Sequence, residues 1–498
     1  MGKRQVLQNI HFGERIAEDE VDELSAYFVE TDQWRSIFAG EVNVVYGAKG
    51  AGKSAIYSLL LNRKEELRQR RIIAISAENP RGATVFRDLV DKKPEITEQE
   101  LYNLWKLYFL SLVADTLRKE GIVGGQIRKV IGTLEESGLL PRETTLSKLL
   151  RSVVDYVRHL FRVESFEVGA TPDPATGMPS FTGKITFREP DSAQQRLGMV
   201  SVDELLQLVN TALEQSRLSV WVLLDRLDVA FAESKTLEHN ALRALFRVYS
   251  DLQAFDHLSF KIFLRNDIWQ LITTEGFRGA SHITRTVTIS WDEESLLNLV
   301  IRRALNNPAL REFYNVSHTE ILSSAQKQSD LFYRVFPPKI DNRPNSTPLF
   351  NWILTRTQDA SRQTAPRELI HLLSCARGHQ LKTLEVGGNE PQGEVLFDAS
   401  ALLDALPDVS KTRFEQTLLA EYPGMRNWLE RLENQRTSQT PETLATLWRV
   451  DKEKALDIAA KLVEIGFFEK RRSLKGEPTF WVPFLYRDAL NMIRGSAK

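Results

Sequence analysis

The sequence predicts an α/β fold: a parallel sheet whose strands end in glycine-rich or acidic turns, with helices packed on it. Three stretches predict it. Gly47-Ala48-Lys49-Gly50-Ala51-Gly52-Lys53-Ser54 has the spacing G-x-x-x-x-G-K-[ST]. The β-branched run 42–46 precedes it and the apolar run 55–61 follows it, which is strand, turn, helix. The run 219–228 is a second apolar strand, and it ends in Asp225 and Asp228.

The spacing of the first stretch has a chemical reason. Glycines let the backbone turn back so that several N–H groups converge on a phosphate. The helix that begins near Gly52 adds its positive N-terminal end. Backbone from Gly47, Gly50, Ala51, Gly52 and Ala55 then lines the anion. Lys53 reaches the β- and γ-phosphates, and the Ser54 hydroxyl takes a place on Mg²⁺. ATP and Mg²⁺ are the expected cofactors.

Composition narrows the field. At 498 residues the chain suits about three domains. An apolar fraction of 42% and a charged fraction of 26% are those of an ordinary globular protein. The net charge of −1 leaves only a local basic face for nucleic acid. The single cysteine, Cys375, forms no disulfide framework within the chain, and the eight histidines are scattered without metal-ligand spacing. No apolar run approaches the roughly 18 residues of a membrane span, and Met1–Arg4 leads into no signal-type core. A cytoplasmic protein with no membrane partner is expected.

In chain order, Leu24, Tyr27, Phe28, Trp34, Ile37 and Phe38 recur at helical spacing, a lead-in over 1–40 that would cover a nucleotide base. The run 72–78 is a strand that delivers Glu78 to the ligand-binding edge. Regular alternation then stops. Residues from about 97 to 200 read as an insertion: helices around 101–113 and 146–160, then a β-hairpin from runs 163–168 and 184–187. The strand 219–224 brings Asp225 to the edge as the Mg²⁺ carboxylate. A helix over 242–252, a strand over 260–267 and a strand over 286–291 complete a core of 41–292. Arg265 and Asn266 stand where a γ-phosphate sensor belongs.

Gly47–Ala55, Leu224-Asp225-Arg226-Leu227-Asp228, Phe263–Ile268 and Pro366-Arg367 together resemble P-loop ATPases of the AAA+/STAND class, near the KAP and origin-recognition branches of a bacterial group. The resemblance implies a P-loop NTPase core with a five-stranded sheet in the order 5-1-4-3-2, a helical lid, and nucleotide-driven assembly into a homo-oligomer. It implies a lid arginine at Arg367 and an arginine finger at Arg278 or Arg285. It also implies a role in bacterial defence or DNA transactions, with a protein partner or effector on another chain. One departure is plain. Where most AAA+ proteins place a glutamate after the Mg²⁺ aspartate, this chain has Arg226, so water activation falls to Asp228 or Glu78.

Beyond 292 the chain reads as helical: a lid over 293–380, a linker over 381–397, then a helical domain over 398–498. Helices at 442–449 and 453–465, followed by the runs 467–472 and 479–482, give the helix, helix, hairpin pattern of a winged helix. Lys470, Arg471, Arg472 and Lys475 would meet DNA phosphates. Asp451, Glu453, Asp457 and Glu464 oppose that reading on the second helix.

Overall fold

The computed structural model describes residues 2–14, 20–79, 96–166, 184–227, 234–274, 277–341, 343–472 and 476–497. The chain divides into two compact units. One, the sheet unit, comprises 32–47 and 53–288; the other, the helical unit, comprises 1–31, 48–52 and 289–498.

The sheet unit is mixed α/β around one parallel sheet of five strands. They are β1 (Val44–Gly47), β2 (Ile72–Ser76), β3 (Ser219–Leu224), β4 (Leu258–Arg265) and β5 (Thr286–Thr288). Their spatial order is β2-β3-β4-β1-β5. The central strands are apolar along their length because both faces are covered: Val44, Val45, Val220, Leu223, Leu224, Ile262 and Phe263 are all buried. The register sets Gly47 beside Arg265 and Ser76 beside Leu223, so the residues after these strands emerge along one edge.

Several expected elements are adjusted by packing. The 260–267 strand runs from Leu258 to Arg265, and Asn266 opens a helix to Thr274. The last strand stops at Thr288. The helix Glu98–Lys119, fixed by a Thr97–Glu100 capping box, is buried on nearly every side, so its polar positions Asn103, Lys106 and Asp115 lie inside. Among the described residues the expected β-hairpin does not form. Val163–Phe166 continues the helix Leu146–Phe166, and Ile185–Thr186 pairs in parallel with Val200–Ser201. Four alternating residues fit either period, and the apolar row of the preceding turns carried the helix on. Residues 167–168 of that run lie outside the described residues.

The helical unit begins with Lys3–Asn9 and Val21–Tyr27, while Asp32–Ala39 belongs to the sheet unit. Among the described residues the lead-in holds three short helices. The helices Glu293–Leu305 and Leu349–Thr357, in the expected lid, share a core with the C-terminal residues Trp448, Leu462, Phe480 and Tyr486. The helix Pro366–Glu385 runs into the expected linker. The helix Ala399–Thr412 passes into a π-helix, Arg413–Leu419. A four-stranded sheet closes the unit: β6 (Arg436–Gln439), β7 (Glu469–Arg472), β8 (Pro478–Trp481) and β9 (Ile493–Ser496), in the order β9-β6-β8-β7. The helices Pro441–Trp448 and Lys452–Glu464 stand between β6 and the antiparallel β7–β8 pair. No helix among the described residues is long and apolar enough to cross a membrane.

One polar feature of the sheet unit runs from the surface to a buried lysine. The helix Asp32–Ala39 ends beside β1, and basic side chains take five successive carbonyls there. Arg70 donates to Phe38 and Ala39, Arg285 to Gly40 and Glu41, and Lys261 to Val42. A helix C-terminus favours such cations. Lys261 is fully buried, also donates to Asn43 Oδ1 at 3.1 Å, and lies 4.3 Å from the Trp221 ring centre. Burial, then the charges of Arg285 and Arg70, lower its pKa from 10.5 to about 7. Between those values the unfolded chain holds the proton and the folded chain does not, so stability rises with pH across this window. Urea unfolding is expected to show a gain of about 2–3 kcal/mol between about pH 6 and pH 9. Lys261→Met should flatten that slope.

Candidate functional site

The loop after β1 supplies the centre of the site. Gly50 and Gly52 adopt φ of +81° and +102°, conformations a side chain would strain. They bring the chain back so that the helix Lys53–Asn62 starts at Lys53. Lys53 Nζ donates to the Gly47 carbonyl at 2.9 Å, across the mouth of the turn. Ala55 lies in the helix's first turn. Within the helical unit, the Ala51 carbonyl accepts from Trp291 Nε1 at 2.8 Å.

Asp225 follows β3, is 4% exposed, and its Oδ2 accepts from Ser54 Oγ at 2.7 Å. Motif residues 171 positions apart thus meet at one sheet edge. The pair is a hydroxyl and a carboxylate, the hard oxygen donors that Mg²⁺ takes alongside water and phosphate.

Glu78 sits two residues past β2 and is 1% exposed. Its Oε1 accepts from the Asn79 N–H at 2.9 Å. Beneath it lies a network that the sequence reading missed. Tyr57 donates to Ser76 Oγ at 2.5 Å, Ser76 Oγ in turn donates to the Glu78 carbonyl, and Tyr108 donates to the Ala77 carbonyl at 2.8 Å. Burial raises the Tyr57 pKa, and the negative charges of Asp225 and Glu78 raise it further against Ser76 and Arg226. One neutral phenol therefore senses Asp225, Arg226 and Glu78 together. The available signal was spacing: Tyr57 stands four residues after Lys53, one helical turn along.

The other expected residues fall as follows. Arg226 takes φ +58° and turns its guanidinium to the Asn79 carbonyl at 3.4 Å. Arg265 makes a bidentate pair with Asp267 at 3.0 and 2.7 Å, and Asn266 is half-buried at the start of the next helix. Arg285 is occupied with the carbonyls of Gly40 and Glu41. Arg278 begins a short 3₁₀ turn, and its side chain lies outside the described residues, as do Asp228 and Lys475. In the helical unit, Arg367 opens the helix Pro366–Glu385, and its Cβ is 3.0 Å from where a Cβ on Gly50 would lie. The described residues hold no group of three His, Cys, Asp or Glu suited to a metal.

No family model and no curated protein matches this chain. Among solved structures it is similar to a Walker-type ATPase of Pyrococcus abyssi, at 10% identity over 93% of this chain and 96% of that one, with a TM-score of 0.42. It is also similar to the ORC1 protein of Aeropyrum pernix in complex with DNA, at 12% identity, 99% and 97% coverage and a TM-score of 0.35. The Aeropyrum pernix ORC2 protein follows at 11% identity, 98% and 97% coverage and a TM-score of 0.30. These are loose likenesses, and the geometry of the site stands without them.

The loop's tightness is testable directly. Gly50→Ala adds a Cβ at positive φ against Arg367, and is expected to cost about 1 kcal/mol or more in urea unfolding. Gly424→Ala, with nothing within 4 Å of its Cβ position, should change little.

Proposed function

We propose that the chain is a Mg²⁺-dependent P-loop ATPase of AAA+ type that acts as a nucleotide-driven switch and passes its output to a protein partner. The observation that carries this reading is the 2.7 Å contact of Ser54 Oγ with Asp225 Oδ2 beside Lys53. Lys53 and the N–H groups of the loop hold the phosphates. Ser54 and Asp225 hold Mg²⁺, which when bound draws charge from the phosphate oxygens. Glu78 is our choice as the carboxylate that orients the attacking water, because it is buried and shares the field of Tyr57 with Asp225. Arg265 ends the strand beside Gly47, Asn266 follows it, and both suit a sensor role. Arg367 serves as the lid arginine. The chain works as a homo-oligomer, with Arg278 as the finger, since Arg285 is engaged with its own backbone.

The purified protein should hydrolyse ATP. Lys53→Ala should abolish nucleotide binding, Asp225→Asn should lower turnover by a hundredfold or more, and Glu78→Gln should stop turnover while leaving binding intact. Normal turnover in Glu78→Gln would move the water-orienting role to Asp228. Normal turnover in Lys53→Ala would end the ATPase reading.

A second reading, a DNA-binding initiator or loader, is supported by a cationic stack on the C-terminal sheet. Arg471 and Arg487 lie 3.9 and 4.5 Å from the Trp481 ring centre, and Arg487 and Arg356 lie 4.0 and 4.3 Å from that of Phe484. Burial and then Arg356, Arg494 and Arg471 lower the Arg487 pKa to about 10, so like charges crowd there. A phosphate backbone would relieve that crowding. DNA-stimulated turnover with steeply salt-dependent affinity, lost in Arg471→Glu, would favour this reading over a protein-directed switch.

A further inference from the structure

The tip of the glycine-rich loop, Ala48–Gly52, belongs to the helical unit and is gripped there by side chains. Trp291 holds the Ala51 carbonyl. Gly50 lies against Arg367 and Glu368; a Cβ on it would be 3.4 Å from Glu368 Oε2. Lys49, whose ammonium is the tip's own charge, forms an ion pair with Glu421. That pair is mostly shielded, with side-chain exposures of 31% and 16%.

Glu368 and Glu421 are joined by an uncommon piece of backbone. Glu368 Oε1 accepts from Arg413 Nη1 at 3.0 Å, and Arg413 is the first residue of the π-helix Arg413–Leu419. Glu421 follows that helix by two residues. Arg413 is further held by Asp359 at 3.7 Å and by the Tyr486 hydroxyl at 3.4 Å. Glu368 Oε2 is buried and accepts no hydrogen bond from the described residues. π-Helices are rare, and they recur at functional positions. This one has both ends on the loop tip: the first through Glu368 against Gly50, the second directly on Lys49.

We propose that Glu421 is an internal competitor for Lys49, so that the phosphates of a nucleotide replace a carboxylate at the loop tip and thereby release the segment that follows the π-helix. The proposal rests on the ATP reading above and adds to it a second phosphate-facing cation, Lys49, and a carboxylate that holds it back. Carboxylate and phosphate are both anions drawn to the lysine ammonium and repel each other, so a phosphate at Lys49 disfavours Glu421 there. A nucleotide's phosphates carry more negative charge than one carboxylate, so they compete for the ammonium. With Arg413 anchored, movement of Glu421 would be taken up between the two, in the π-helical turn.

The test is equilibrium binding of a fluorescent ATP analogue to the full chain, with no turnover required. Glu421→Gln and Glu421→Ala are expected to bind about tenfold tighter than the wild type. Lys49→Met should bind more weakly, and Glu421→Gln added to it should change nothing further. Wild-type binding left unchanged or weakened by both Glu421 variants, with native circular dichroism, overturns the competition alone. A Glu421 effect of the same size in the Lys49→Met background overturns it as well. Absence of binding in the wild type, equal to Lys53→Ala, overturns the ATP reading and the competition with it.

Discussion

The contact between Ser54 and Asp225 is the constraint on which the sheet unit depends. A hydroxyl at a helix start and a carboxylate at a strand end meet at 2.7 Å only if β1 and β3 are parallel and close in the same sheet. They are separated by β4 alone, and the buried runs of all three strands fix that spacing. The chain between β2 and β3 must therefore leave the sheet after β2 and return to β3, beside β2, without disturbing it. The helix Glu98–Lys119, buried on nearly every side, gives that excursion its own core contacts. Polar positions inside it are paired: Lys106 with Asp203, and Asp115 with Arg118, Lys119 and Thr144. Each pairing offsets the cost of burying a charge.

What was legible in the sequence was local chemistry. Gly47–Ser54 declares itself because glycine and lysine must stand at fixed offsets around a phosphate. Asp225 and Glu78 were legible because an apolar strand that ends in a carboxylate has few other places to put it. The parallel sheet followed from strands without alternation. What was not legible depended on partners distant in sequence. Nothing local to Arg285 says that its guanidinium will cap the carbonyls of residues 40 and 41. The residues 163–166 carry a two-residue and a helical period at once, and only the preceding helix decides between them. A π-turn at 413–419 leaves no sequence signature, since it differs from an α-helix by one carbonyl in its hydrogen bonding.

Arg226 shows how one substitution in a motif reorganises its surroundings. A glutamate after Asp225 would carry a second negative charge at the sheet edge. Arg226 reverses that sign, adopts a left-handed conformation, and reaches the backbone at Asn79. The segment after β2 is thereby tied to the segment after β3. Glu78 then lies next to a cation contact, with its own carboxylate turned to the Asn79 amide. The carboxylate at this edge besides Asp225 stands after the neighbouring strand, at Glu78. Tyr57, Ser76 and Tyr108 satisfy the carbonyls under that strand end, which is what allows an acid to be buried there.

The same topology gives the sheet unit its chemical polarity. In a parallel α/β layer the helices run against the strands, so helix N-termini gather at the strands' carboxyl edge and C-termini at the other. The carboxyl edge carries the loop, Lys53 at a helix start, and the acids Glu78 and Asp225. The amino edge carries the end of the helix Asp32–Ala39, and Arg70, Arg285 and Lys261 collect on its carbonyls. Three cations without a carboxylate among these contacts are tolerated because five carbonyl dipoles point at them, and because Lys261 can give up its proton near neutrality. The two edges therefore differ in chemistry: a helix start and acids at one, carbonyls and basic side chains at the other. Lys261 donates to the carbonyl two residues before β1, so the strand that carries the loop is tied at its start to this group.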